Sequence, residues 1–517
     1  MNDLKSNISD NSRRIARNTL LLYIRLLVLL PVGLYTSRVI LQTLGESDVG
    51  IYNVVGGVVT MFGFLNAAMT GVSQRYITFA LGKGDSAESR KVFSTVTFMH
   101  IAIALTVLIV GEVLGLWLLH HKMVIPPDRM NAAFWVFQAS MASLVIMIIS
   151  VPYNGAVIAH EKMEAFAYIS VFDAFAKLAT AFFVRFIPFD RLVLYALLIM
   201  LIQMIDRLVY RWYCLRRFDE CRISREFDRS LFREMLGFGG WNMFGSLASV
   251  GMTQGVNVLL NMFFGTAVNA ARGFAVQIEN CVSGFVGSIQ TAMNPQIIKN
   301  YAGEKYRRMH ELMWCSSRYS FFLLLIIVLP LLLKADYVVA LWLKDPPEHT
   351  AAFARIILLT SLINSMSGSV NTGSQATGDV RKVQVIVGSV LLMIVPVAYV
   401  FLKLGASPES VFCVTLAITL LAQIIRLVIV CPMVRMKIMD YVRNVYLPVT
   451  GVFLPTLALG WLIARLFPED NIMNLLIVVL MSVTMTCIVI YAIGLNREEK
   501  SVIKAKILKK WDAGKEK

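Results

Sequence analysis

The sequence predicts an all-α polytopic membrane protein with about 14 transmembrane helices, in two pseudo-symmetric six-helix lobes plus two C-terminal helices. Three observations predict it. Hydrophobic residues make up 57% of the chain and charged residues 16%, with a mean hydropathy of +0.66. A water-soluble domain of this size has no use for so much apolar surface, which needs lipid as its solvent. The apolar residues gather in runs long enough for a helix of about 20 residues to cross a hydrocarbon core of roughly 30 Å. The second half of the chain also repeats the order of the first.

The elements follow in order. The first 17 residues, "MNDLKSNISDNSRRIAR", are polar and basic. The apolar run after them is too long for a signal-peptide core and lacks a small-residue cleavage site, so it reads as a retained first span. Polar breaks then divide the chain into spans at 18–42, 49–81, 92–119, 131–159, 163–186, 190–215, 236–263, 267–299, 309–343, 350–378, 383–404, 410–433, 444–467 and 472–494. Several exceed 25 residues, which implies tilt or extension into water. The strands of a barrel would be far shorter.

With the N-terminus inside, 30 of the 49 Lys and Arg residues fall in the cytoplasmic segments between these spans and 3 in the external ones. That bias places both termini in the cytoplasm. The net charge of +16 is thus a topology signal and a preference for anionic headgroups, with no nucleic-acid partner required. The expected organisation is an N-lobe over 1–215, an amphipathic surface linker over 216–235 and a C-lobe over 236–440. Two added spans follow over 441–495, then a basic tail over 496–517.

The repeat shows in matched segments. "NAAFWVFQASMASLVIMIISVPYNGAVIAHEK" begins at 131 and "TAAFARIILLTSLINSMSGSVNTGSQATGDVRK" at 350, with their AAF triplets 219 residues apart. "LWLLHHKMVIPP" (116–127) is similar to "LWLKDPP" (341–347), and "GVSQRYITFALGKGD" (71–85) falls where "AMNPQIIKNYAGEK" (292–305) falls in the second half. Six spans per repeat is an even number, so both halves run the same way through the membrane, with the substrate path between them.

The chemistry concentrates in span 8, which contains "VNAARGFAVQIEN". Helical steps from Asn269 reach Gly273, Val276, Asn280, Ser283, Gly287, Gln290 and Asn294, a stripe of polar and small residues flanked by Arg272 and Glu279. Unpaired polar groups are costly in lipid, so the stripe faces other helices or a water-filled cavity. Two full charges beside it favour the cavity over simple packing through small residues. Further charges lie inside other spans: Arg25, Arg38, Glu112, Asp173, Lys177, Arg318 and Arg355. Glu279 is about 18 Å from its nearer span end at the helical rise, and Asp173 and Lys177 are also near mid-membrane. Asp173 and Lys177 are spaced to neutralise each other, and Arg25 is close enough to the inner surface to snorkel. The remaining excess is positive, so the cavity suits an anionic substrate.

Other chemistry is missing. The seven cysteines are scattered and form no CxxC, so neither a disulfide framework nor a zinc site is expected. No GxxxxGK[ST], HExxH or GxSxG motif occurs, which argues against a nucleotide motor or a hydrolase. His120 and His121 read as an interfacial polar turn, and no cofactor or metal is expected.

"VNAARGFAVQI", "NPQIIKNYAG" and "TSRVILQTLGESDVGIYNVVGG", which contains Asn53, resemble the polysaccharide flippases of bacterial inner membranes. These are O-antigen-type flippases of the multidrug/oligosaccharidyl-lipid/polysaccharide exporter superfamily. The resemblance covers the whole chain. It implies two lobes forming a V that opens alternately to each side, and a transporter, not an enzyme. It also implies a substrate, an undecaprenyl-pyrophosphate-linked oligosaccharide carried from the cytoplasmic to the periplasmic leaflet. Polysaccharide polymerase or glycosyltransferase partners would be consistent with it. Arg38, Arg272 and their neighbours would hold the pyrophosphate-sugar head, Asn and Gln side chains the sugar hydroxyls. Glu279 or Asp173 could carry a coupling proton or sodium ion. Two relatives remain as alternatives: a flippase for a lipid II-type peptidoglycan precursor, and a cation-coupled multidrug exporter. The exporter usually has twelve spans and an acidic cavity. A membrane glycosyltransferase or ligase would need a larger external loop than this chain offers.

Overall fold

A computed structural model describes residues 2–45, 48–49, 51–52, 55–56, 63–121, 125–222, 228–343, 346–497 and 499–501. Among them the regular structure is helical, without strands. The helices are α1 (Asn2–Leu44), α2 (Gly63–Lys83), α3 (Ser86–His121), α4 (Met130–Ala159), α5 (Met163–Phe183), α6 (Arg191–Arg217) and α7 (Arg229–Ala302). The chain continues with α8 (Tyr306–Leu333), α9 (Ala335–Leu343), α10 (Thr350–Thr377), α11 (Arg381–Leu392), α12 (Ile394–Lys403), α13 (Glu409–Met433), α14 (Leu447–Leu466) and α15 (Ile472–Val489). Twelve helical segments among the described residues are long and apolar enough to cross a membrane. The expected spans 49–81 and 267–299 are not among the twelve; where described they are helical, as α2 and as the part of α7 beyond Gly265.

Short polar residues set the helix starts. The Asp85 side chain accepts from the backbone N–H groups of Ala87 (2.9 Å) and Glu88 (3.2 Å). Asp190 caps α6 through Leu192 and Val193, Asp228 caps α7 through Ser230 and Leu231, and Asn471 caps α15 through Asn474. Each satisfies N–H groups that the first turn leaves orphaned.

Interruptions also have local causes. Gly265, at φ 79° and ψ −166°, breaks α7 between the expected spans 7 and 8. That region of backbone space belongs to glycine. The boundary between α11 and α12 falls at Met393, next to Leu392, whose carbonyl the Pro396 ring cannot serve as a donor. The expected linker over 216–235 divides among three elements where it is described. α6 runs to Arg217, a short 3-10 turn covers Asp219–Cys221, and α7 already begins at Arg229. The tail beyond residue 501 lies outside the described residues.

The chain divides into two compact units. Residues 1–250, 291–305 and 375–385 form the first, and residues 251–290, 306–374 and 386–517 the second. In the first, Ala104 and Val107 of α3 pack with Val136 and Phe137 of α4 and Leu192 and Ala196 of α6. The last turns of α7 join this unit through Ala292, which packs with Leu22, Ile158 and Met163. Val380 packs with Met69, Val72, Met235 and Phe238. Arg129 bridges two carboxylates of this unit, with Nε donating to Asp48 at 3.0 Å and Nη1 to Asp190. In the second unit Val256, Leu260, Ala271 and Ala275 pack against Phe353, Ile394, Ala398 and Phe412. Ile109, Val113, Met262, Ile424 and Leu480 remain exposed, leaving apolar faces for lipid to cover.

Candidate functional site

The second unit holds the polar part of α7. Beyond the Gly265 break the helix resumes, and its small residues leave room beside the polar ones. Gly273, Asn280 and Gly287 are exposed, while Asn269, Ser283 and Gln290 are half-buried. Arg272 reaches back across the break: Nη1 donates to Asn257 Oδ1 at 3.2 Å and Nη2 to the Thr253 carbonyl at 3.0 Å. Both acceptors are neutral; Glu279, two turns on, attracts the guanidinium but makes no hydrogen bond to it. Glu279 instead accepts from Ser361 Oγ of α10 at 2.9 Å. Gln290 Nε2 donates to the Ser365 carbonyl of the same helix at 3.2 Å. The Asn269 side-chain oxygen is buried without a hydrogen-bond partner. One edge of α7 thus docks on α10 through Glu279 and Gln290, and the edge with Gly273, Asn280 and Gly287 stays uncovered within its unit.

The first unit holds the other group. Asp173 and Lys177 of α5 pair at 2.8 Å, one helical turn apart. Asp206 of α6 lies within hydrogen-bonding reach of Asp173, and each carboxylate keeps one buried oxygen with no donor. Arg25 of α1 sits 4.6 Å from the centre of the Phe166 ring, and its Nε has no partner. Arg38 is exposed on α1, and Asn294 is half-buried in the last turns of α7. Asn53 lies outside the described residues.

Two expected cavity residues are engaged elsewhere. Arg318 is only 2% exposed. It donates to Glu499, just past the last span, and Tyr319 Oη donates to the same carboxylate oxygen at 2.6 Å. Arg318 is therefore buried with its charge paired to Glu499. Arg355 bonds Asp336 and, through Nε, the Leu332 carbonyl at 3.3 Å, so its charge too has an acidic partner. His120 and His121 turn back on their own helix, with Nδ1 2.9 Å and 3.0 Å from the Leu116 and Trp117 carbonyls.

The sequence reading passed over Asp206 and Arg426. Arg426 of α13 is 8% exposed. Its Nη1 donates to Ser367 Oγ and Gln423 Oε1, both at 2.7 Å, and its Nε has no partner. Each is a charge inside an apolar run, "LIQMIDRLVY" and "LLAQIIRLVIV", the same signal that singled out Asp173.

The polysaccharide biosynthesis protein family matches the chain over residues 15–301, more than half its length. No curated protein sequence matches it significantly. Three solved structures with a similar fold are distant in sequence. A multidrug-resistance MATE family transporter of the MOP superfamily in an outward-facing conformation is 16% identical, with a TM-score of 0.71 over 83% of this chain and 96% of its own. A MATE protein in a bent conformation is 16% identical, with a TM-score of 0.72 over 84% and 97%. A MOP superfamily transporter from Pyrococcus furiosus, described as having a binding pocket of reverse polarity, is 16% identical, with a TM-score of 0.67 over 83% and 96%. At that identity the likeness concerns the fold.

Proposed function

The chain belongs to the polysaccharide biosynthesis protein family, and from that premise we propose that it is a flippase for undecaprenyl-pyrophosphate-linked oligosaccharide. It would move these repeat units from the cytoplasmic to the periplasmic leaflet of a bacterial inner membrane by alternating access. The observation that carries the proposal is Arg272, a half-buried guanidinium in the expected span 267–299 whose hydrogen-bond partners are neutral. A pyrophosphate is the complementary anion, and a guanidinium can grip it with two parallel bonds. The uncovered polar edge with Asn280 offers an amide for sugar hydroxyls. The lipid tail has no need to leave the bilayer.

Outward movement of the anion from a negative interior is favoured by about 2.3 kcal/mol per charge for each 100 mV. Counterflow of a proton or sodium ion is a further part of this reading. Glu279 in one unit, and Asp173 with its neighbour Asp206 in the other, are the membrane-embedded carboxylates where such an ion would bind.

The test is made in a host lacking the gene and complemented with variants. Lipid-linked oligosaccharide is followed with a sugar-specific probe on each side of the inner membrane. Wild type clears repeat units from the cytoplasmic face. R272E leaves them there, and R272K restores part of the transport because it keeps the charge but not the fork. Unchanged translocation by well-expressed R272E overturns the role of Arg272. Reconstitution with a peptidoglycan precursor separates the lipid II-type alternative. Raised sensitivity of the deletion host to cationic drugs, with repeat units unaffected, supports an exporter instead.

A further inference from the structure

The first unit carries another polar feature. A cleft of about 430 Å³ opens between the first turns of α7 and the turn joining α10 to α11. Its lining includes Arg75, Arg233, Phe238, Trp241, Gly378 and Arg381. Arg75, from α2, forms the floor and is 5% exposed. Its Nε donates to the Gln375 carbonyl at 3.1 Å, its guanidinium lies 4.1 Å from the centre of the Tyr76 ring, and Nη1 is 3.7 Å from Glu234. Glu234 also accepts from Tyr76 Oη at 2.9 Å, and its largely exposed carboxylate lines the cleft as well. Arg75 Nη2 has no acceptor among the described residues.

Gly378 is what lets that group face the cleft. Its φ is +84°, and a Cβ built there would stand 2.3 Å from Arg75 Nη2. Above the floor, Arg233 and Arg381 are exposed. Arg381 rests over the Trp241 ring at 4.9 Å, an arrangement that orients a guanidinium without neutralising it. The lining carboxylates are Glu234 and Asp379, so three guanidiniums face two acids and the cleft keeps a net positive charge. The volume is within the usual range of small-ligand sites.

We propose that this cleft binds a phosphate-bearing headgroup. Arg233 and Arg381 close on the phosphate oxygens, Arg75 Nη2 completes the floor, and the Trp241 ring supports the group from beneath. The phosphate could come from a bilayer phospholipid or from the pyrophosphate of a lipid-linked sugar. The second source rests on the flippase reading above, for which the cleft would be a loading site; the first does not.

The test uses the full-length protein in nanodiscs. Binding is followed by tryptophan fluorescence, with W241F identifying the part of the signal that comes from the cleft. The probes are farnesyl pyrophosphate, added to nanodiscs of neutral lipid, and phosphatidylglycerol, titrated into the nanodisc composition. We expect saturable binding of at least one probe, weakened about tenfold or more in R233Q/R381Q. Both substitutions are at exposed positions and leave the fold intact. G378A should weaken binding without changing the charge. Preference for farnesyl pyrophosphate assigns the site to lipid-linked substrate, and preference for phosphatidylglycerol assigns it to the bilayer. Equal binding of both in wild type and R233Q/R381Q, or binding of neither, overturns the proposal. Transport assayed in parallel keeps the two ideas apart: normal translocation with no cleft binding sinks only the cleft, and cleft binding without any translocation by wild type sinks only the flippase.

Discussion

Glu161 should be among the most sensitive positions in the first unit, and the order of its variants tests why. It stands in the turn between α4 and α5, is 5% exposed, and has a left-handed backbone with φ 59°. Its carboxylate accepts from Lys299 Nζ at 2.9 Å and from Gln296 Nε2 at 2.6 Å, both in the last turns of α7. Its carbonyl accepts from Asn18 Nδ2 at 3.2 Å. A hydrogen bond to a charged group contributes roughly 1.5–3 kcal/mol. E161Q retains one acceptor oxygen and loses the charge. The Lys299 side chain is 26% exposed and can partly hydrate, so the expected loss is about 2 kcal/mol. E161A removes both bonds and should lose about 3–4 kcal/mol, near the lower end for breaking a buried pair. E161G loses the same bonds but relieves the left-handed backbone, a term of about 1 kcal/mol. Glycine should therefore be more stable than alanine here, by about that amount. Unfolding in mixed micelles, titrated with a denaturing detergent and followed by tryptophan fluorescence, gives the ranking wild type, Q, G, A. Alanine at wild-type stability would show that the pair with Lys299 contributes nothing. Alanine above glycine would show that the backbone term is wrong.

Three other outcomes follow from particular contacts. G265A forces a side chain onto the backbone of the α7 break and should cost about 1–3 kcal/mol; an unchanged unfolding midpoint would mean that the break relaxes freely. R426M removes a buried cation with neutral partners, and Ser367 Oγ still donates to Gln423 Oε1 at 2.6 Å, so the variant should unfold no earlier than wild type. A loss above about 2 kcal/mol would make the guanidinium a net stabiliser. The hydrogen bonds to Asp228 from Lys91, at 2.8 Å, and from the Leu231 and Ser230 backbone hold its carboxyl below the usual value. Its stabilisation is thus complete above a pH of about 4 and is lost as pH falls through the lowered folded-state value. The difference in midpoint between wild type and D228N should shrink as pH drops from 6 to about 3; a constant difference across that range refutes the assignment.

The helices were legible because lipid makes the local rules strict. A backbone in hydrocarbon must bond within its own segment, so runs of apolar residues translate directly into spans. The expected start at 190 met the helix that Asp190 caps. In contrast, α3 and α7 begin at Ser86 and Arg229, ahead of the expected 92 and 236, because polar first turns capped by Asp85 and Asp228 precede the apolar runs. Helical spacing also showed that Asn269, Asn280 and Gln290 share one side of α7, a property of a single helix. Which charges stay open to a ligand is a property of neighbours. Arg318 and Arg272 look alike in sequence, yet one meets Glu499, 181 residues away, and the other meets the neutral Asn257 and Thr253. Asp206 matters beside Asp173 only because α5 and α6 bring their carboxylates together, and Arg75 reaches its cleft only because a glycine is at 378. Periodicity tells which face a residue takes on its own helix. What stands opposite that face depends on packing between segments far apart in the chain, and the energy of a buried charge is set by that opposite partner.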